Sequence, residues 1–157
     1  QNVLDTAKQL DAYDSGRIYY YLGEYQKAYL ALDEARDKGG ADSYLYLGRA
    51  YAATGDYNYA SSVYNNYLSK QGPNAEIYNE LGLCEMAKKE YQNALAAFQA
   101  GKQIEGNSLM QTLCFNEIVA YEYLEDYQQA EVLMNAYLQN YPDDQTAIRE
   151  QQFLSTR

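Results

Sequence analysis

A seven-residue phrase, GEYQKAY at Gly23–Tyr29, returns three times with small changes: GDYNYAS from Gly55, KEYQNAL from Lys89 and EDYQQAE from Glu125. Each copy carries a tyrosine at its third position and an alanine three residues later. Tyr25, Tyr57, Tyr91 and Tyr127 are separated by 32, 34 and 36 residues. A period of this size signals a stack of one supersecondary unit per repeat, in which neighbouring units bury the apolar face that one unit alone cannot.

Each unit reads as two helices. Ahead of the phrase, apolar residues recur at helical spacing: Tyr44, Leu47 and Tyr51 in the second unit, Tyr78 and Leu81 in the third. After it runs a second such segment, Ala60, Val63, Tyr64, Tyr67 and Leu68, then Ala94, Leu95, Ala97 and Phe98. The phrase itself is the polar turn and first rung of the second helix, so a helical hairpin follows. Gly16, Gly48 and Gly82 lie inside first helices, where glycine costs about 1 kcal/mol relative to alanine. Its return at one repeat position predicts a close approach that a Cβ would block, with Ala28, Ala60, Ala94 and Ala130 small on the partner helix. Leu32, Tyr64, Phe98 and Met134 are expected to fill the space between neighbouring hairpins. Tyr25, Tyr57, Tyr91 and Tyr127, with Tyr19, Tyr51 and Tyr121, read as packing residues.

The pattern Tyr44-x2-Leu47-Gly48-x2-Tyr51, then Ala60, Tyr64 and Pro73, resembles the tetratricopeptide repeat. The third unit matches through Tyr78, Leu81, Gly82, Ala94 and Phe98, with Glu85 in place of the aromatic. The first keeps Gly16, Tyr19, Ala28 and Leu32, and the fourth keeps Tyr121, Ala130, Met134 and Pro142 but has Ile118 where the glycine belongs. Tyr67 and Tyr137 stand where a small residue is expected late in the second helix. The resemblance implies an all-α fold: a right-handed superhelix, or solenoid, of about four hairpins. Repeats are placed at about 9–40, 41–74, 75–110 and 111–144 in a single domain. Asp143 and Asp144 then start a capping helix, 145–157, expected to face Ile148 and Phe153 inward. Residues 1–8 extend the first helix or belong to something upstream.

Composition narrows function. The net charge is −10, with 13 acids against 5 bases in residues 75–157. Nucleic-acid binders neutralise phosphates with Lys and Arg, so this balance argues firmly against a nucleic-acid partner, and it disfavours anionic membrane surfaces for the same reason. No apolar run reaches the ~18 residues of a membrane span. Without histidine the chain lacks the commonest general base and metal ligand, and no phosphate loop or dinucleotide glycine pattern appears. The expectation is a non-catalytic protein with no cofactor and no metal. Cys84 and Cys114 read as small buried hydrophobes, their pairing left open.

In tetratricopeptide proteins the first helix of each unit lines a concave groove, which implies five inward positions per repeat. These are Leu10, Tyr13, Arg17, Tyr20 and Tyr21; then Asp42, Leu45, Arg49, Ala52 and Ala53. The third unit offers Glu76, Asn79, Leu83, Met86 and Ala87, and the fourth Thr112, Phe115, Val119, Glu122 and Tyr123. Of these, Tyr13, Arg17, Tyr20, Tyr21, Arg49, Asn79, Leu83, Phe115, Glu122 and Tyr123 form the candidate surface for a protein or peptide ligand. Tyrosine and arginine are the types enriched at binding hot spots. No groove position carries the Lys of the carboxylate-clamp subclass, so that activity is not carried over. The alternative function is a structural spacer, or a docking and self-association module of a larger cell-envelope or secretion assembly. A monomer is favoured. The chain starts at Gln rather than Met, and resemblance to exported, lipid-anchored bacterial proteins suggests an extracytoplasmic parent.

Overall fold

The structure, a computed structural model, describes residues 11–36 and 40–157. The expected roles of residues 1–8 and Leu10 lie outside the described residues. Among these residues all regular structure is helical: α1 (Ala12–Tyr21), α2 (Tyr25–Glu34), α3 (Gly40–Ala53), α4 (Tyr57–Gln71), α5 (Ala75–Ala87), α6 (Tyr91–Lys102), α7 (Met110–Tyr123), α8 (Tyr127–Asn140) and α9 (Gln145–Leu154). The chain divides into two compact units, Gln1–Pro73 with α1–α4 and Asn74–Arg157 with α5–α9.

The repeated phrase closes every hairpin in the same way. The backbone N–H groups of Glu24, Asp56, Glu90 and Asp126 donate to the carbonyls of Tyr19, Tyr51, Glu85 and Tyr121, five residues back. The N–H groups of Gly23, Gly55, Lys89 and Glu125 donate to Tyr20, Ala52, Met86 and Glu122. This double bond set ends a helix through one left-handed residue. That residue has φ 74° at Gly23, 86° at Gly55, 64° at Lys89 and 60° at Glu125. Two turns use glycine, for which the conformation is unstrained; the other two place a side chain there at a cost of about 1 kcal/mol. The next residue differs too. Asp56 and Asp126 cap the following helix by accepting from the N–H of Tyr59 and Gln129 at 3.0 and 3.1 Å, whereas Glu24 and Glu90 make no such bond.

Packing within a hairpin turns on the glycines. A Cβ on Gly16 would strike the Leu32 side chain, one on Gly48 the Tyr64 ring, and one on Gly82 the Phe98 ring. Leu32, Tyr64 and Phe98 are fully buried. These large residues therefore lie over the glycine of their own hairpin, and Phe98 also shares a buried cluster with Leu113 and Ala120 of the next hairpin, as the periodicity suggested. The glycine makes room for a large side chain, and each such side chain contributes roughly 2–3 kcal/mol of burial. The fourth hairpin, which lacks the glycine, puts Ile118, Ala130 and Met134 in one buried cluster. An unbranched methionine fits beside a branched residue where a rigid ring would not.

Two polar anchors fix the second unit. Glu117 of α7, buried, accepts from Gln99 Nε2 at 2.9 Å and pairs with Lys102, tying α7 to α6. Tyr137, which replaces a small residue late in α8, is also buried. Its hydroxyl donates to Asp144 Oδ2 at 2.6 Å and accepts from Gln111 Nε2 at 3.1 Å. Asp144 in turn caps α9 by accepting from the Thr146 and Ala147 N–H groups. Helix α9 packs on α8 through Ala147 and Leu154. Ile148 is half-buried, but Phe153 is 39 % exposed, correcting the inward placement; Leu154, one residue on, takes the buried position. The two cysteines are free thiols. Burial, with Glu80 and Glu85 nearby, pushes Cys84 up to about 12, which leaves it unreactive.

Lys89→Gly with Glu90→Asp recreates the second turn's Gly-Asp pair in the third hairpin. It should stabilise the protein by about 1–2 kcal/mol, read as a higher urea midpoint; an unmoved midpoint contradicts the strain assigned to Lys89. Gly82→Ala should destabilise by about 1–2 kcal/mol despite alanine's better helix propensity, because the buried Phe98 ring must shift.

Candidate functional site

In the first unit, α1 sets Tyr13, Arg17 and Tyr21 one turn apart on a single face, with Tyr20 beside them. Helix α3 packs against α1 and presents Asp42, Tyr46 and Arg49 at the matching spacing. The Arg17 guanidinium carbon lies 5.4 Å from the Tyr13 ring centroid and 5.4 Å from that of Tyr46. The cation is thus held between two rings. The Tyr21 and Tyr46 hydroxyls lie 2.6 Å apart, and Tyr13 donates to Asp42 Oδ2 at 3.5 Å. Tyr20 packs edge-on against Tyr21 at 5.6 Å and Tyr46 at 5.4 Å. Hydrogen bonding to Tyr46, then the charge of Tyr13, raises Arg17's already high proton affinity. Its Nε is buried and makes no hydrogen bond, while Tyr21 is 70 % exposed. Arg49 is half-buried, one turn beyond Tyr46.

Tyr46 was not among the sequence-predicted positions; the neighbouring Leu45 was, and it is buried in the core instead. One signal was available: Tyr46 falls off the Tyr44, Leu47, Tyr51 stripe, and an aromatic off the core stripe faces elsewhere.

In the second unit the predicted residues separate. Asn79 is buried and accepts at 2.9 Å from the Asn116 carboxamide, so it ties α5 to α7 and presents little surface. Leu83 is 44 % exposed on α5. Phe115 is half-buried, edge-on to Tyr137 at 5.8 Å, in a hollow of about 240 Å³ that Gln111, Asn116 and Asp144 also line. Burial, then the hydrogen bond to Asp144, pushes Tyr137 up to about 12, so its hydroxyl stays a donor. Glu122 and Tyr123 lie at the end of α7, where Tyr123 stacks on Tyr91 at 5.0 Å and 27°. They line a separate cleft of about 420 Å³ with Glu125, Tyr127, Glu150 and Phe153. Burial first, and then the charge of and hydrogen bond with Glu150, push the Glu122 carboxyl up to about 7. Among the described residues, no helix is long and apolar enough to cross a membrane.

The Glu122 shift has a definite sign. An unfolded glutamate releases its proton near its ordinary value of 4.5, and the folded one near 7. Between those values the native state holds the extra proton, so stability falls as pH rises through the window and stays reduced above it. Glu122→Gln should therefore raise the melting temperature at pH 8 and leave it unchanged below pH 4.5. An equal gain at both pH values would contradict the assignment.

The sequence matches the tetratricopeptide repeat family over residues 13–58 and 47–107, and again over 115–144. A search of curated protein sequences returns no match. Among solved structures, the MamA RS-1 ArsTM double mutant aligns with TM-score 0.78 at 18% identity, covering 100% of this chain and 85% of that one. MamA AMB-1 aligns with TM-score 0.73 at 23% identity, covering 94% and 80%. The second TPR domain of human RPAP3, solved in complex with the HSP70 peptide SGPTIEEVD, aligns with TM-score 0.66 at 17% identity, covering 75% of this chain and 97% of that domain. At these identities the likeness concerns the fold alone. The repeat matches span most of the chain, and the hairpins, the close contacts at their glycines and their left-handed turns agree with them: the protein belongs to the tetratricopeptide repeat family.

Proposed function

We propose that this protein is a non-catalytic scaffold that binds a protein or peptide segment on the faces presented by its first helices. The observation that carries the reading is the arginine in the first unit. Arg17 is held charged between the Tyr13 and Tyr46 rings, with a buried Nε that makes no hydrogen bond and an exposed Tyr21 beside it. A guanidinium fixed by its neighbours forms bonds to a carboxylate or a backbone carbonyl with little further loss of side-chain entropy. The surrounding rings supply contact area of the kind found at binding hot spots. The RPAP3 domain, of similar fold, was solved with a peptide that ends in an acidic stretch, EEVD, which supports peptide capture as a use of this architecture. Arg17 and Arg49 are assigned to an acidic or carboxylate feature of the ligand, and Tyr13, Tyr20, Tyr21 and Tyr46 to its apolar flank. The second unit, taken by itself, presents Leu83 and Phe115 as apolar contact positions, while Asn79 positions α7.

Self-association is the competing reading, favoured by the exposure of Leu30 (68 %) and Val132 (58 %) on second helices. Light scattering separates the two, since a mass independent of concentration removes self-association. For the binding reading, peptides selected on the wild-type protein from a displayed random library should bind the Arg17→Ala, Arg49→Ala double variant at least about tenfold more weakly. Equal affinity, with helical circular dichroism unchanged, would sink the assignment.

A further inference from the structure

We propose that the cleft at the α7–α8 turn of the second unit is a receptor site for an arginine side chain of a basic partner segment. The proposal deepens the peptide-scaffold reading, and rests on it for the source of the arginine.

Three carboxylates line the cleft: Glu122 from the end of α7, Glu125 from the turn and Glu150 from α9. Carboxylates alone would make only a solvated face, but here three aromatic rings stand among them. Tyr123 is 57 % exposed, Tyr127 opens α8, and Phe153 is the α9 residue that turns outward. Rings flanked by carboxylates form an environment suited to a guanidinium, which stacks flat on an aromatic face while its edge N–H groups donate. The chain already demonstrates the fit. The guanidinium carbon of Arg157, just past α9, lies 4.3 Å from the Phe153 centroid and 5.8 Å from that of Tyr127. The seat on the rings is thus held by the same chemical group that the site would take from a partner.

Glu122 Oε1 is buried and makes no hydrogen bond, although it lines the cleft. Burial and the neighbouring Glu150 push the Glu122 carboxyl up to about 7, so near neutrality Glu122 retains a proton. A cation set between the two carboxyls replaces that proton and supplies donors to both. Among the described residues, the other charged or titratable groups at the site are Tyr123, Glu125, Tyr127 and Arg157, so the local balance stays negative with Arg157 counted. Charge across the whole unit points the same way, with 13 acids against 5 bases in residues 75–157. Such a field draws a basic segment in and disfavours an acidic one.

The test uses acetyl-Gly-Arg-Gly-amide and its citrulline counterpart, which keeps the shape and removes the charge. Both are titrated at pH 8 against the whole chain while the ring resonances of Tyr123, Tyr127 and Phe153 are followed by NMR. The arginine peptide should move all three rings and bind at least about tenfold more tightly than the citrulline peptide. Arg157→Gln, which frees the rings, should tighten binding about threefold. Glu122→Gln with Glu150→Gln should weaken it at least about tenfold; these changes remove repulsion, so the loss will not reflect unfolding. Equal binding of the two peptides, or full affinity in the double glutamine variant, would overturn the proposal. Because this probe needs no knowledge of the natural partner, its failure leaves the Arg17 and Arg49 result standing. Conversely, library peptides that ignore Arg17 and Arg49 but require an arginine would unseat the first-unit assignment and keep this one.

Discussion

The fold depends on a steric fit repeated three times: a glycine inside a first helix, facing a large buried side chain of the second. Gly16 faces Leu32, Gly48 faces Tyr64 and Gly82 faces Phe98, each closely enough that one added carbon collides. The fit has two consequences. It sets how closely the paired helices approach at that point, and it locks the register of the second helix, because the large side chain can lie over the glycine at one position only. The fourth hairpin reaches a similar result with Ile118 and Met134, exchanging a rigid ring for a flexible chain.

Given that register, the turn sets what the first helices present. Each hairpin closes through one left-handed residue and two backbone hydrogen bonds, so the last turn of every first helix ends in the same geometry. Tyr20 and Tyr21 in the first unit, and Glu122 and Tyr123 in the fourth hairpin, occupy that last turn. They are held by a backbone motif whose hydrogen bonds need none of their side chains. The side chains are therefore free to differ, and they do: the first unit gathers aromatic rings around an arginine, whereas the end of α7 gathers carboxylates around aromatic rings. Within the first unit a cation thus sits among rings, and within the second unit carboxylates do.

The repeat was legible because it is local. The spacing of four tyrosines, the mid-helix glycines and the alanines opposite them are all properties of short windows, and they agree with one another across the chain. The candidate surface was legible only in part. Tyr13, Arg17, Tyr20 and Tyr21 do lie together, since i to i+4 spacing on one helix leaves no other arrangement. Tyr46 escaped because its role depends on how α3 rotates against α1, which put Leu45 in the core and its neighbour beside Arg17. Asn79 was assigned to the peptide-binding groove, yet its carboxamide is engaged by Asn116, 37 residues away.

The division between sequence and structure follows the range of the forces. By itself the sequence determined the helices, the hairpins, the repeat and the excess of negative charge, because periodicity, turn chemistry and composition act over a few residues or over all of them. Tertiary structure alone decided that Glu122 meets Glu150 across 28 positions, that Phe153 turns outward while Leu154 is buried, and that Arg157 lies on two rings. Each depends on the rotation of one helix about its axis by roughly the ~100° that separates neighbouring residues. No local pattern encodes that angle; it is set by which side chains fit against the neighbouring helix.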